Sequence, residues 1–173
     1  MEKTDKLIPN ERTAVAQLVT NQPDGPGKRI GKRAELILFG NVLPGGAKLF
    51  RERLPQFQAE ANYWETRVGT VHELRVALID NDTRLLFMIV YDGDFVPYVE
   101  DIISQAGPWF DAIFPGIWEG YEGATSPATR QLVISGARSS DFFYVSHPDL
   151  SVRDITRIKK LSSAVNELLD AAN

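Results

Sequence analysis

The sequence predicts an α+β fold of ferredoxin-like plan: an antiparallel sheet, a helical insertion before the last strand and an added C-terminal helix. Three observations predict it. From Ala34 onward, strand-type and helix-type periodicities follow one another as β-α-β-β-α-(insertion)-β-α, the order of a split βαβ unit. The run RLLFMIVY, residues 84–91, is apolar at both alternate positions, which marks a central strand that must be covered on both faces. And 173 residues, of which 43% are hydrophobic and 24% charged, suffice for one core with an arm or embellishment.

The elements follow in order. Residues 1–33 read as an N-terminal arm and linker, because NQPDGPG (residues 21–27) is a cluster of turn formers. The domain proper is then 34–173. ELILFGNV (residues 35–42) is a short apolar run closed by Pro44-Gly45-Gly46, a first strand. Leu49, Phe50, Leu54, Phe57, Ala61 and Trp64 recur at three- and four-residue steps, one face of a helix. Pro55 inside it predicts a kink or two abutting helices.

TVHELRVALID (residues 70–80) alternates, and the polar cluster Asp80-Asn81-Asp82-Thr83 joins it to RLLFMIVY as an antiparallel hairpin. Asp94 is placed to N-cap the next helix, with Pro97 in its first turn and Gly107-Pro108 as its stop. Residues 109–123 read as a short helix plus loop, and SPATRQLVISGA (residues 126–137) as a further helix. DFFYVSH (residues 141–147) is the expected last strand. Ser151 and Asp154 form a capping-box variant at the start of the final helix. Its expected buried face is Val152, Ile155, Ile158, Leu161, Val165 and Leu168.

Composition excludes several chemistries. There is no cysteine, hence no disulfide, thiolate metal site or cysteine nucleophile. No apolar run approaches a membrane span, and MEKTDKLIPNER has no apolar segment of signal-peptide type. A cytoplasmic protein without membrane partners is the expectation. The net charge of −4 argues against nucleic acid as a partner. Charge is also segregated: no Lys or Arg occurs from Leu85 to Thr129, whereas KRIGKR (residues 28–33) is basic. Such an arm is suited to lie on its own domain or on a neighbouring subunit. Gly-x-Gly-x-x-Gly, P-loop and Gly-x-Ser-x-Gly patterns are absent, as is any His-x-x-x-His spacing, so no metal site is expected.

At GTVHELR (residues 69–75), LLFMIVYDGDFVPYVEDI (85–102) and FYVSHPDLSVRDI (143–155) the chain resembles a little-characterised bacterial family of the dimeric α+β barrel superfamily. That group also includes dye-decolourising peroxidases and chlorite dismutase. The resemblance implies a homodimer whose sheet presents an open face to another sheet or to a small-molecule pocket. The peroxidases' distal Gly-x-x-Asp-Gly pattern is missing, since Ile89 and Val90 precede Tyr91-Asp92-Gly93. Haem is therefore implied by the superfamily and by no motif of this chain, and no other cofactor is evident.

Few side chains are candidates for chemistry. His72 alternates with Leu74, Val76 and Leu78, which places it on an apolar strand face. There it is a histidine hydrogen-bonded to backbone, a base or orienting donor, or a haem ligand. Arg75 falls on the opposite face of a regular strand, so joint action with His72 needs a bulge. A salt bridge and the binding of a substrate carboxylate are its two readings. His147, before Pro148, is explained by a turn. Eight aromatics fall between Tyr91 and Tyr121 and suit a core, an oligomer interface or an apolar pocket.

These residues do not decide whether the domain is an enzyme. The leading expectation is a small-molecule-binding homodimer for an apolar or aromatic ligand, with His72 as base or orienting donor. Tyr91, Phe114, Trp118 and Arg75 are then the binding residues. The alternatives are a non-catalytic interaction module using the aromatic segment 91–121, and a haem-dependent, peroxidase-like protein.

Overall fold

The computed structural model describes residues 18–171. Their order is β1 (Thr20–Asn21), β2 (Lys28–Ile30), β3 (Arg33–Asn41), α1 (Gly46–Val68), β4 (Val71–Ile79), β5 (Arg84–Asp92), α2 (Phe95–Ile113), α3 (Pro127–Gly136), β6 (Ala137–Arg138) and α4 (Val152–Ala171). The sheet runs β1-β2-β3-β5-β4, every pairing antiparallel, with β6 also on β3. The path β6-β3-β5-β4, with α1 and α2 as crossovers, makes the fold α+β and compatible with a ferredoxin-like plan.

Central strand β5 organises the molecule. Leu85, Phe87, Ile89 and Tyr91 are buried beneath the helices beside Ala34, Leu36 and Leu38 of β3. The alternate set is only partly covered: Leu86 and Val90 are half-buried and Met88 is 38% exposed. Three successive residues at positive φ, Asp80, Asn81 and Asp82, turn the chain from β4 into β5, a conformation that Asn and Asp tolerate better than most.

Both internal prolines sit in continuous helices. α1 passes through Pro55, and α2 continues past Gly107-Pro108, where the sequence predicts a stop. Packing outweighs the lost ladder bond: Trp109 stacks on Phe57 at 4.0 Å and its Nε1–H donates to Phe57 O at 3.1 Å, while Ala106, Trp109 and Ile113 are buried. Burying such side chains is worth about 1.5–3 kcal/mol each, comparable with the ~3 kcal/mol cost of a helical proline.

Four other expectations are corrected. Residues 18–33 are not a detached arm, since β1 and β2 extend the sheet; residues 1–17 lie outside the described residues. The α2 cap is Asp24, whose carboxylate accepts from Phe95 N and Val96 N at 3.0 and 2.9 Å, while Asp94 pairs with Arg29. The last strand is Ala137–Arg138 rather than 141–147. Antiparallel continuation would carry 139–142 alongside residues 33–36 of β3, but β2 already pairs there, Arg29 with Ala34 and Ile30 with Arg33. Ser140 instead leaves the sheet edge and donates through N and Oγ to Glu35 Oε1, both at 2.8 Å.

The fourth concerns α4. Its capping box forms as read, Asp154 N donating to Ser151 Oγ at 3.1 Å and Ser151 N to Asp154 Oδ2 at 2.9 Å. Its expected buried face is not buried: Val152 and Ile155 are half-covered and every residue from 156 to 171 is exposed.

Gly40 is the tightest point between sheet and loop: a Cβ there would stand 2.2 Å from Trp118 Nε1 and under 3 Å from two further ring atoms. Gly40→Ala should lower stability by about 1–3 kcal/mol or more, as overpacking does, with the drop read from urea unfolding.

Candidate functional site

The helical layer does not cover the sheet evenly. Aromatic contacts draw α1 toward α2: Phe57 touches Trp109, Phe110 and Phe114, with centroids 4.0, 6.4 and 6.0 Å apart. At the edge strand β4, the inward side chains Leu74, Val76 and Leu78 are left only half-buried. Between α1, α2 and β4 lies a groove of about 330 Å³. Phe57 and Trp64 of α1, Trp109 of α2 and Leu74 and Val76 of β4 wall it, and Gln58, Asn62 and Glu65 supply polar groups. A smaller, almost wholly apolar cavity of about 80 Å³ sits between the sheet, α2 and α3, with Arg130 and Thr129 among its lining. Leu74, Tyr98 and Ile102 belong to both linings.

His72 enters by an unexpected route. The pairing of β4 with β5 slips between Val71, opposite Tyr91, and Glu73, opposite Val90. This bulge frees His72 from strict alternation, and its Nε2–H donates to Asp92 Oδ1 at 2.7 Å. Asp92 ends β5 beside the start of α4, and the bulge brings His72 to that end of the sheet. Asp92 Oδ2 accepts from Val152 N at 2.7 Å. Both side chains are largely enclosed, at 8% and 13% exposure. One carboxylate thus joins the bulge to the first turn of α4, where negative charge also suits the helix N-terminus. His72 remains in the lining of the groove, at its β4 end.

The other candidates do not converge on it. Tyr91 is fully buried, stacked on Tyr98 at 3.8 Å, its hydroxyl accepting from Gln22 Nε2 at 3.2 Å. Burial pushes the phenols of Tyr91 and Tyr98 far above the ordinary tyrosine range, and burial with Asp111 does the same to Tyr121. Phe114 is in the core and Trp118 edges the smaller cavity. Arg75 stands on the opposite sheet face, paired with Glu73; with Met88 and Phe143 it borders a shallow recess of about 120 Å³. His147 is exposed at a turn, its carbonyl accepting from Leu150 N.

Of the eight clustered aromatics, Tyr91, Phe95, Tyr98, Trp109, Phe114 and Trp118 are buried and Phe110 and Tyr121 pack against them. Most of the cluster is therefore core, with Phe110 and Tyr121 only partly buried. The groove walls Trp64 and Phe57 were legible only as a helix stripe, because a one-dimensional pattern does not say which neighbour a stripe meets.

A haem held through histidine would need an imidazole directed at its iron; His72 commits Nε2 to Asp92 and His147 lies at an exposed turn, so neither histidine fits that role. Among the described residues no cluster of three or more His, Asp or Glu is placed to hold a metal, and no helix is long and apolar enough to cross a membrane. No protein-family model, curated protein or solved structure matches the chain.

Removing Asp92 leaves His72 Nε2 and Val152 N without their acceptor. Asp92→Ala should cost about 1–3 kcal/mol and speed amide exchange at Val152 more than in α1 or α2. Unchanged exchange there would show that this carboxylate does not hold the helix.

Proposed function

We propose that the chain is a small-molecule-binding domain of dimeric α+β barrel type, working as a homodimer in the cytoplasm of a bacterium. Its ligand is apolar or aromatic and sits in the groove between α1, α2 and β4. One observation carries this reading: the inward face of β4 is left half-bare beside Trp64 and Trp109, around a recess of about 330 Å³. That size falls in the range of small-molecule sites and is about twice that of a ~150 Å³ cavity that holds benzene. A molecule of one or two rings would displace water from indole and aliphatic walls, and Gln58 and Asn62 would orient a polar substituent. The homodimer is supported by the partly covered sheet face, where Met88 is exposed and the segment beside it presents Phe142 and Tyr144 at 84% and 66% exposure. Apolar surface of this kind is typically covered by a partner.

A second, catalytic reading is favoured by the His72–Asp92 pair. A carboxylate holding Nε2–H leaves Nδ1 as a base, and His72 then takes a proton from the ligand at the β4 end of the groove. In that case saturating ligand shifts the ¹⁵N resonances of the His72 ring; an unmoved ring would leave His72 its structural role alone.

Binding itself is tested with N-phenyl-1-naphthylamine, a neutral aromatic probe. Its fluorescence should rise saturably with micromolar affinity while tryptophan emission falls. Ala61→Phe, which fills the groove from α1, should weaken the probe about tenfold or more at unchanged melting temperature. Probe binding that is unsaturable, or indifferent to Ala61→Phe, would remove the groove as a site.

A further inference from the structure

The cations of α4 stand where a helix tolerates them least. Arg153 and Arg157 occupy its first two turns, at the positive end of the helix dipole, where acidic side chains are favoured. Arg153, Arg157 and Lys160 recur at steps of four and three residues, so they share one face of the helix and repel one another along it. That face meets the C-terminal end of α1. Between the two helices lies a cleft of about 550 Å³, with Arg67 on the α1 side and Arg153, Arg157 and Lys160 on the α4 side.

None of these four cations forms an ion pair with a carboxylate among the described residues. The carboxylates at hand are engaged elsewhere: Asp154 by Lys32 and the Ser151 hydroxyl, Asp92 by His72 and the Val152 amide. Glu65 is the one acidic residue in the lining. Arg67 lies in the last turn of α1, its guanidinium carbon 5.8 and 5.9 Å from the ring centroids of Tyr63 and Trp64. These cation–π contacts hold the group without using a hydrogen-bond acceptor. Trp64 is also a wall of the groove, and Glu65 and Val68 line groove and cleft alike. The two recesses therefore meet at the C-terminal end of α1.

We propose that the ligand of the groove is an aromatic acid, its rings between α1, α2 and β4 and its anionic group in the cleft among Arg67, Arg153, Arg157 and Lys160. The inference rests on the groove being a binding site and adds the charge class of what it binds. Arginine suits such a group, because its forked N–H donors match the paired oxygens of a carboxylate, sulfonate or phosphate. A bound anion also relieves the repulsion along α4 and answers the dipole at its start. The chain as a whole carries a net charge of −4, so its long-range field repels anions. A preference for an acid over the matching neutral compound must therefore come from a local cluster of cations.

The test compares two probes on the full chain. Anilinonaphthalene sulfonate has the ring system of the neutral N-phenyl-1-naphthylamine with one sulfonate added, so the ratio of their dissociation constants isolates the charge. At low salt the sulfonate should bind about tenfold tighter, the sum of several exposed charge contacts, and Ala61→Phe should weaken both probes. In the double variant Arg153→Gln/Arg157→Gln the ratio should fall toward one, and added salt should narrow it in the wild type. Both arginines are exposed, so the melting temperature should hold. Arg67→Gln, on the other helix, should lower the ratio independently. A neutral probe that binds as well as the sulfonate, or a preference that survives both arginine variants, overturns the anionic subsite and leaves the groove standing. A sulfonate indifferent to Ala61→Phe, where the neutral probe responds, overturns it too, since groove and cleft are then not one site. Failure of both probes to bind saturably removes the groove reading and this one with it.

Discussion

The stack of Trp109 on Phe57, reinforced by the indole N–H bond to the Phe57 carbonyl, is the contact on which the rest of the arrangement depends. It carries α2 through Pro108 and joins it to α1 by a direct polar link as well as by area. Phe114, Phe87 and Trp118 extend the aromatic contacts to the sheet, with centroid distances of 5.4 and 5.2 Å from Phe87. The consequence is asymmetric cover. α1 leans on α2, the central strands β3 and β5 are sealed on their helical face, and the edge strand β4 is left half-bare. The groove is therefore a by-product of the same packing that makes the core.

A second set of contacts ties the residues before β3 to the body of the domain. Asp24 accepts from the first amides of α2, Gln22 donates to the Tyr91 hydroxyl, and Arg29 pairs with Asp94. These bonds join groups some seventy positions apart. They meet donors that would otherwise be unsatisfied, above all the helix N-terminus. The charge segregation of the sequence acts within the chain: the basic segment 28–33 reaches Asp94, just before α2, through Arg29 and Asp154 of α4 through Lys32. By occupying the edge of β3, the same segment displaces residues 139–145 onto the sheet's other face, where Val145 is buried and Phe143 half-buried.

Local chemistry made much of this legible. The stripe Phe50-Phe57-Trp64, the hairpin turn at Asp80–Thr83, the Ser151 cap and the strand at 84–91 all form where they were expected. Each depends on side chains within a few positions. The functional geometry was less legible. His72 was placed on the face of Leu74 and Val76, and a single slipped pairing at Val71 and Glu73 turned it to Asp92. Period-two alternation has no warning of a bulge, because the extra residue is decided by how the partner strand and α4 pack. Tyr91, Phe114 and Trp118 were grouped with Arg75 as binding residues, but burial under the helices separates the first three from the fourth.

The sequence by itself determined the succession β3-α1-β4-β5-α2, the two later helices, the central position of residues 84–91, and the absence of thiol chemistry. These follow from periodicity, turn residues and composition, which are properties of short segments. Only the tertiary structure decided which helix leans on which, which strand holds the edge beside β3, where His72 points, and that α4 leaves its own core. Each is a competition between distant segments for one surface or one set of hydrogen bonds, and competitions of that kind are settled by three-dimensional packing.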